Sequence, residues 1–217
     1  MAIAALTSAG YSLCVDQNCY WNTHKFEHPP GTVHFDTVKD SRLWGPLRLY
    51  TKSSVLWWLP DPTPTLPTLD DPHYMLTDDK RLPPRTWPRR DLDGNLGPDG
   101  PWLNIYPVRI VKPILFTEAL ILLCCRDHNH VNNFEDYWRG LLGAMNEENP
   151  DPDFYLRKRV RPELQKCWNV AKVGNDLQIN AAVKQLREEL IASLPATPYY
   201  YGFRTKERAI RQGSRWL

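Results

Sequence analysis

The fold is decided by the stretch FEDYWRGLLGAM at residues 134–145. Its large apolar side chains recur at intervals of three and four residues, which is the period of one face of an α-helix. These side chains are Phe134, Tyr137, Trp138, Leu141, Leu142 and Met145. The pattern predicts an amphipathic helix that packs against other helices.

A second helix is predicted immediately before this stretch. Pro113 suits a first helical position, and residues 114–125 are apolar except for Thr117 and Glu118. A helix that is apolar nearly all round is buried in a core. The run is far shorter than the roughly 20 residues that a membrane-spanning helix needs, so we expect no transmembrane span.

Helical patterns continue after the central stretch. Asp151-Pro152 predicts a third helix that Pro162 kinks or divides, and Asp176 predicts the start of a fourth helix that ends before Pro195. The apolar positions of the fourth helix follow the helical period; they are Ile179, Val183, Leu186, Leu190 and Leu194. We therefore expect residues 102–195 to form a helical core.

The N-terminal residues 1–59 predict a small mixed α/β or β-hairpin segment. Residues 32–38 (TVHFDTV) have strand composition, and residues 47–51 and 54–59 predict the two strands of a hairpin. The fold class is thus mostly α, with a small, mixed and β-poor N-terminal part and a helical C-terminal core.

Ten of the twenty prolines lie in residues 60–101. Because proline lacks a backbone N–H and keeps its predecessor extended, this segment predicts a long Pro-rich extended arm. A mobile linker is the alternative. Tyr74, Trp87 and Trp102 favour an ordered arm whose aromatic anchors contact a partner, since a solvated linker has little use for such side chains.

Basic residues gather toward the end of the chain, although the net charge is only +2. Residues 154–217 contain thirteen Lys or Arg and five acids. Two clusters stand out: one before Pro162, and an aromatic-basic tail at residues 196–217. Their candidate binding residues are Arg157, Lys158, Arg159, Arg161, Tyr199, Tyr200, Tyr201, Arg204, Arg208 and Arg211. Protein partners, nucleic acid and an anionic membrane surface are the contacts that such residues suit.

Two Cys/His groups have the residue types of a metal site. The first has the spacing Cys-x4-Cys-x4-His-x3-His and consists of Cys14, Cys19, His24 and His28, all acceptable zinc ligands. Two packed thiols and two surface histidines are the favoured interpretation. The second group is Cys124, Cys125, Asp127, His128 and His130. It suggests a metal-dependent hydrolase, but polar residues at a helix end explain it better.

No sequence motif points to catalysis or to a cofactor. The chain lacks Gly-x-Ser-x-Gly, the dinucleotide-binding glycine pattern and the P-loop pattern. The five cysteines are an odd number, which favours free thiols in a reducing intracellular compartment. The first positive charge is Lys25, so we expect neither a signal peptide nor a transit peptide.

The organisation of the chain predicts a non-catalytic accessory subunit of a large multiprotein assembly. A helical core with an extended arm and an aromatic-basic tail is typical of such subunits, and no cofactor is expected. By analogy alone, a mitochondrial respiratory-chain or ATP synthase complex is the proposed setting. An RNA-binding protein of ribosomal type, using residues 157–161 and 199–215, and a metal-dependent hydrolase are the alternatives.

Overall fold

The computed structural model describes residues 2–16, 18–19, 29, 33–36, 46–82, 106–129, 134–147, 160–171 and 176–193. The N-terminal part contains helix α1 (Ala2–Ser8), strands β1 (Ser12–Leu13), β2 (Val33–Asp36) and β3 (Leu47–Leu49), and helix α2 (Lys52–Val55). Strands β4 (Tyr74–Leu76) and β5 (Arg109–Val111) follow. The helical part contains α3 (Pro113–Asp127), α4 (Phe134–Glu147), a 3-10 turn (Pro162–Leu164), α5 (Gln165–Ala171) and α6 (Asp176–Ala192).

The helical core is confirmed. Helix α3 lies at its centre, and every residue from Thr117 to Cys125 is buried. Helices α4 and α6 pack against α3, and α5 packs against α6. The residues that the helical period of α4 places inward include Trp138 and Leu142, which are 4% and 3% exposed. The core is therefore built as the apolar periodicity predicts.

A helical segment begins at Pro162, the residue that is predicted to kink or divide the third helix. The backbone forms a 3-10 turn at Pro162–Leu164 and continues directly into α5. A proline at the first position of a turn removes no hydrogen bond, because that N–H has no partner within the helix. The part of this predicted helix at residues 151–159 lies outside the described residues.

Helix α3 ends at a backbone conformation that favours asparagine. Asn129, two residues after the helix, has φ of 58°, in the left-handed region. Asparagine and glycine are the residues that most readily adopt this conformation beyond a helix end. The chain thereby turns from α3 toward α4, which brings the two helices together.

The N-terminal part contains a three-stranded antiparallel sheet with the order β1-β2-β3. The strand expected at residues 32–38 is present as β2, and its Phe35 is fully buried. The expected hairpin between residues 47–51 and 54–59 is wrong. Strand β3 pairs with β2, while Lys52–Val55 forms the short helix α2. A helical turn after Thr51 leaves no extended run to pair with β3.

The described part of the Pro-rich arm, residues 60–82, contains one strand that the proline content did not predict. Strand β4 pairs antiparallel with β5, with Met75 opposite Ile110. This sheet has only two strands among the described residues, and β4 itself contains no proline. Asp71 forms the turn before β4, since its carboxylate accepts the backbone N–H groups of His73 and Tyr74 at 2.8 Å each.

Side chains of the same chain hold this segment in place. The Arg109 guanidinium donates to the backbone carbonyls of Thr63, at 2.7 Å, and of Thr65. The Arg81 guanidinium donates to the Leu69 carbonyl at 3.0 Å. Residues 60–82 therefore contact other parts of their own chain, whereas residues 83–101 of the predicted arm lie outside the described residues.

Candidate functional site: an apolar cleft beside the central helix

An apolar cleft of about 540 Å³ lies beside helix α3. Leu120 and Leu123 of α3 line its floor, and Leu141 of α4 lines one wall. Val111 of β5 and Val55 of α2 line the opposite side. Three consecutive elements, β5, α3 and α4, thus form one concave surface together with the distant helix α2, and nearly all of the atoms that line it are carbon.

The cleft opens to solvent along a rim of apolar side chains. Phe116 on the first turns of α3 is 36% exposed, and Met145 at the end of α4 is half-buried. The apolar surface continues along the chain that leads into β5, where Val108 is 54% exposed and Tyr106 is 83% exposed. Adjacent exposed apolar side chains of this size mark a binding surface more often than isolated ones do.

Aromatic side chains form the deepest part of the cleft. Trp138 makes edge contacts with Tyr137 and with Tyr50, at ring-centroid distances of 5.0 Å and 6.3 Å. The Tyr50 hydroxyl donates to the Pro29 carbonyl at 2.9 Å. Burial raises the pKa of Tyr50 above its usual value, and the nearby Tyr137 hydroxyl raises it further. These rings are held rigidly, so they form a preformed apolar contact surface.

A polar cluster behind the cleft fixes Trp138. Its indole N–H donates to Asp127 Oδ2 at 2.8 Å, and Arg126 forms an ion pair with the same carboxylate at 2.7 Å. Asp127 is 3% exposed, so both contacts compensate a buried charge. The Arg126 guanidinium also donates to the Ser54 carbonyl and lies 5.8 Å from the ring centre of Trp57.

The neighbouring residues His128 and Glu135 form a second contact between α3 and α4. His128 Nδ1 lies 2.7 Å from Glu135 Oε2, and the Asn129 N–H donates to the same oxygen at 3.3 Å. Glu135, on the first turn of α4, thus binds the two residues that follow α3.

These contacts give structural roles to most of the hydrolase candidates. Burial raises the pKa values of Cys124 and Cys125 well above that of a free thiol, and it raises the pKa of Cys167 to about 12. Protonated, buried thiols are neither nucleophiles nor metal ligands. Asp127 is occupied by Arg126 and Trp138. His130 lies outside the described residues.

The structure brings Cys14 and Cys19 together, as the first Cys/His group predicts, but with a different histidine. Their sulfur atoms and a ring nitrogen of His34 all lie within 4.8 Å of one another. His24 and His28 lie outside the described residues. His34 lies in the predicted strand, and the signal for it was a metal-ligating side chain beside Phe35 in that strand.

Arg161 has a structural role that its place in a basic cluster did not indicate. Its Nε lies 2.9 Å from Glu118 Oε2, and its backbone N–H donates to Glu118 Oε1 at 2.8 Å. The guanidinium carbon lies 5.3 Å from the ring centre of Trp58. The Arg161 guanidinium thus compensates the buried charge of Glu118, and its role as a binding residue stays a prediction.

Tyr74 likewise contacts its own chain. Its ring is 8% exposed and its hydroxyl donates to the Pro60 carbonyl at 2.7 Å. Little of the ring is therefore exposed to solvent, and a contact of Tyr74 with a partner stays a prediction. The other predicted binding residues lie outside the described residues: Trp87, Trp102, Arg157, Lys158, Arg159, Tyr199, Tyr200, Tyr201, Arg204, Arg208 and Arg211.

The described residues form a helical core with two small antiparallel sheets and an apolar cleft beside α3. No helix among the described residues is long and apolar enough to span a membrane. No family model matches the sequence, and comparisons with curated proteins and with solved structures give no significant match.

Proposed function

We propose that this chain is an accessory subunit that binds another protein through its apolar cleft and so joins a larger assembly. The observation that supports the proposal is the cleft itself, with its open rim of partly exposed apolar side chains. Rigid aromatic residues within a concave apolar surface are typical of protein–protein binding sites. Met145 at the rim adds a flexible side chain that adapts to a bound surface.

The expected occupant is the apolar face of a helix from a partner protein. A helix in a groove inserts side chains at intervals of three and four residues. The cleft volume of about 540 Å³ accommodates a few such side chains, and the exposed surface at Tyr106 and Val108 extends the contact beyond it. A small apolar ligand would use the closed end of the cleft only, and would leave the rim exposed.

The polar groups behind the cleft support a binding role over a catalytic one. The buried carboxylates of Glu118 and Asp127 are each compensated by an arginine, and Cys124 and Cys125 are held as neutral thiols. Each of these groups contributes to packing between elements. A reducing intracellular compartment is proposed on the five free cysteines, and a mitochondrial respiratory-chain or ATP synthase complex is the first assembly to examine.

Site-specific crosslinking tests the proposal. A photoreactive phenylalanine analogue replaces Phe116 at the rim, and in a control protein it replaces Leu177, which is 83% exposed on α6. The protein is expressed in its own cells, and native electrophoresis with mass spectrometry measures its size before and after irradiation. We expect a crosslink to one protein of the native complex from position 116 and none from position 177.

A charge variant completes this test. Phe116→Glu places a carboxylate at the apolar rim, whereas Leu177→Glu places one on an exposed helix face. We expect only the first variant to leave the large complex, with an unchanged helical circular-dichroism signal in both. Migration of the native protein near its own mass of 25.3 kDa would overturn the proposal. Copurification of a small apolar molecule with that monomer would favour a ligand-binding protein instead.

A further inference from the structure

We propose that Cys14, Cys19 and His34 form a zinc site that fastens the N-terminal sheet. Cys14 directly follows β1, Cys19 lies in the turn after it, and His34 belongs to β2. Their ligand atoms lie within 4.8 Å of one another, which is the only such grouping of three metal-ligating side chains found in the described ranges. This inference is independent of the apolar cleft and of the function proposed for it.

The sheet register places Cys14 and His34 side by side. Leu13 of β1 lies opposite Phe35 of β2, and the Cys14 N–H donates to the His34 carbonyl at 3.1 Å. Cys14 is therefore the residue opposite His34 in an antiparallel ladder. Side chains that face each other in this way project from the same face of the sheet and lie close together.

A turn at Asp16 returns the chain to this position. The Asp16 carboxylate accepts the Asn18 N–H at 2.9 Å, and the Asp16 carbonyl accepts the Cys19 N–H at 3.2 Å. An aspartate that binds the backbone two residues later stabilises a tight turn. The turn holds the Cys19 sulfur 3.5 Å from His34 Nε2.

This distance suits a shared tetrahedral zinc ion. With zinc–sulfur and zinc–nitrogen bonds of about 2.3 and 2.0–2.1 Å, tetrahedral geometry separates the sulfur from the nitrogen by about 3.6 Å. The Cys19–His34 pair already has this separation. The remaining pairs, within 4.8 Å, need a contraction that a side-chain rotation provides.

The donor set and its surroundings favour zinc. Two thiolates with one imidazole prefer zinc to the hard cations magnesium and calcium. His34 is 3% exposed, so its ring has a fixed position, while both cysteines are half-buried and accessible to an incoming ion. The three residues supply three of four tetrahedral positions and leave one for an additional donor.

A metal link would stabilise this sheet, because its strands are short. Strand β1 has two residues and β3 has three, and strands this short contribute few hydrogen bonds. An ion bound by Cys14, Cys19 and His34 joins β2 to two cysteines that lie fifteen or more residues earlier in the sequence. Because the unfolded chain has no preformed site, the free energy of metal binding stabilises the folded sheet.

The test measures zinc in the untagged full-length protein, purified under reducing conditions and loaded with zinc chloride, by inductively coupled plasma mass spectrometry after removal of free metal. We expect about one zinc per chain in the wild type. Cys14→Ser, Cys19→Ser and His34→Gln should each lower the zinc content at least about tenfold at a limiting zinc concentration. The matched controls Cys167→Ala and His73→Gln should keep it.

A second measurement does not depend on the folding of the variants. Cobalt added to the metal-free wild type should give the thiolate-to-cobalt charge-transfer absorption and the visible bands of a tetrahedral site, and zinc should displace both. Wild-type protein without stoichiometric zinc, or without these cobalt bands, would overturn the proposal. Retention of zinc by the Cys14→Ser and Cys19→Ser variants would overturn it too, as would a Cys14–Cys19 disulfide in protein that binds no zinc.

Discussion

Replacing Trp138 with alanine should be among the most destabilising single changes in this chain. The side chain is 4% exposed and lies between α3, α4 and the deep end of the cleft. Removing a buried tryptophan typically costs about 3–5 kcal/mol, because apolar contacts are lost and a cavity remains. The substitution also removes the indole N–H that binds the Asp127 carboxylate at 2.8 Å.

The magnitude follows from these separate contributions. A hydrogen bond to a charged group contributes about 1.5–3 kcal/mol, and each edge contact between aromatic rings about 0.5–1.5 kcal/mol. Trp138→Ala should therefore lower the free energy of unfolding by about 5 kcal/mol, at or above the upper end of the usual range. Trp138→Phe keeps a packed ring and should cost about 2 kcal/mol, mostly for the lost hydrogen bond.

Urea unfolding followed by the helical circular-dichroism signal measures these values. Leu177→Ala is the matched control, because Leu177 is 83% exposed and its truncation should change stability by no more than about 0.5 kcal/mol. A loss under about 1 kcal/mol for Trp138→Ala would refute the assignment of this face of α4 to the core. Equal losses for the alanine and phenylalanine variants would refute the contribution of ring packing.

Three further predictions concern buried and charged groups. Glu118→Gln should destabilise the chain by about 1.5–3 kcal/mol in urea unfolding, because it removes the buried carboxylate from Arg161 and leaves it only the 3.5 Å ion pair with Glu163. Glu118→Leu combined with Arg161→Met should cost less. The backbone N–H groups of Tyr74 and His73 lower the pKa of Asp71 below its ordinary 3.8, so its stabilising effect exists above that pH and is lost as the pH falls through the lowered value. Thermal unfolding against pH should show the difference between wild type and Asp71→Asn shrinking in acid, and a constant difference would contradict this. In chelator-treated native protein a thiol reagent should react with Cys14 and Cys19 only, and three buried thiols should react after urea is added: Cys124, Cys125 and Cys167. Five fast thiols would contradict the packed core.

The helical core was predictable because local patterns determine it. The period of apolar residues in α4 and the continuous apolar run in α3 each require burial, whatever the rest of the chain does. The helical turn that begins at Pro162 follows from the fixed φ angle and the missing N–H of proline, which is also a local effect. The strand at β2 was likewise visible in its own composition.

The remaining features depend on contacts between distant residues, which no local pattern encodes. Strand β4 exists because β5, more than thirty residues later, supplies its partner, so the high proline content of its surroundings was misleading. Arg161 was grouped with its basic sequence neighbours, but Glu118, forty-three residues earlier, determines its position. The cleft itself is formed by four elements that only the tertiary fold brings together.

This dependence on long-range contacts changes how the Pro-rich arm should be tested. Deleting residues 60–88 would remove β4, and with it the partner of β5, whose Ile110 and Val111 line the cleft. Loss of the complex after such a deletion would therefore not distinguish a damaged cleft from a lost arm contact. Because Arg109 anchors the arm through the carbonyls of Thr63 and Thr65, the substitution Arg109→Met releases that segment and changes neither β4 nor the cleft residues Ile110 and Val111 of β5. A single substitution is needed to distinguish the role of the arm from the role of the cleft, since the fold joins the two through one two-stranded sheet.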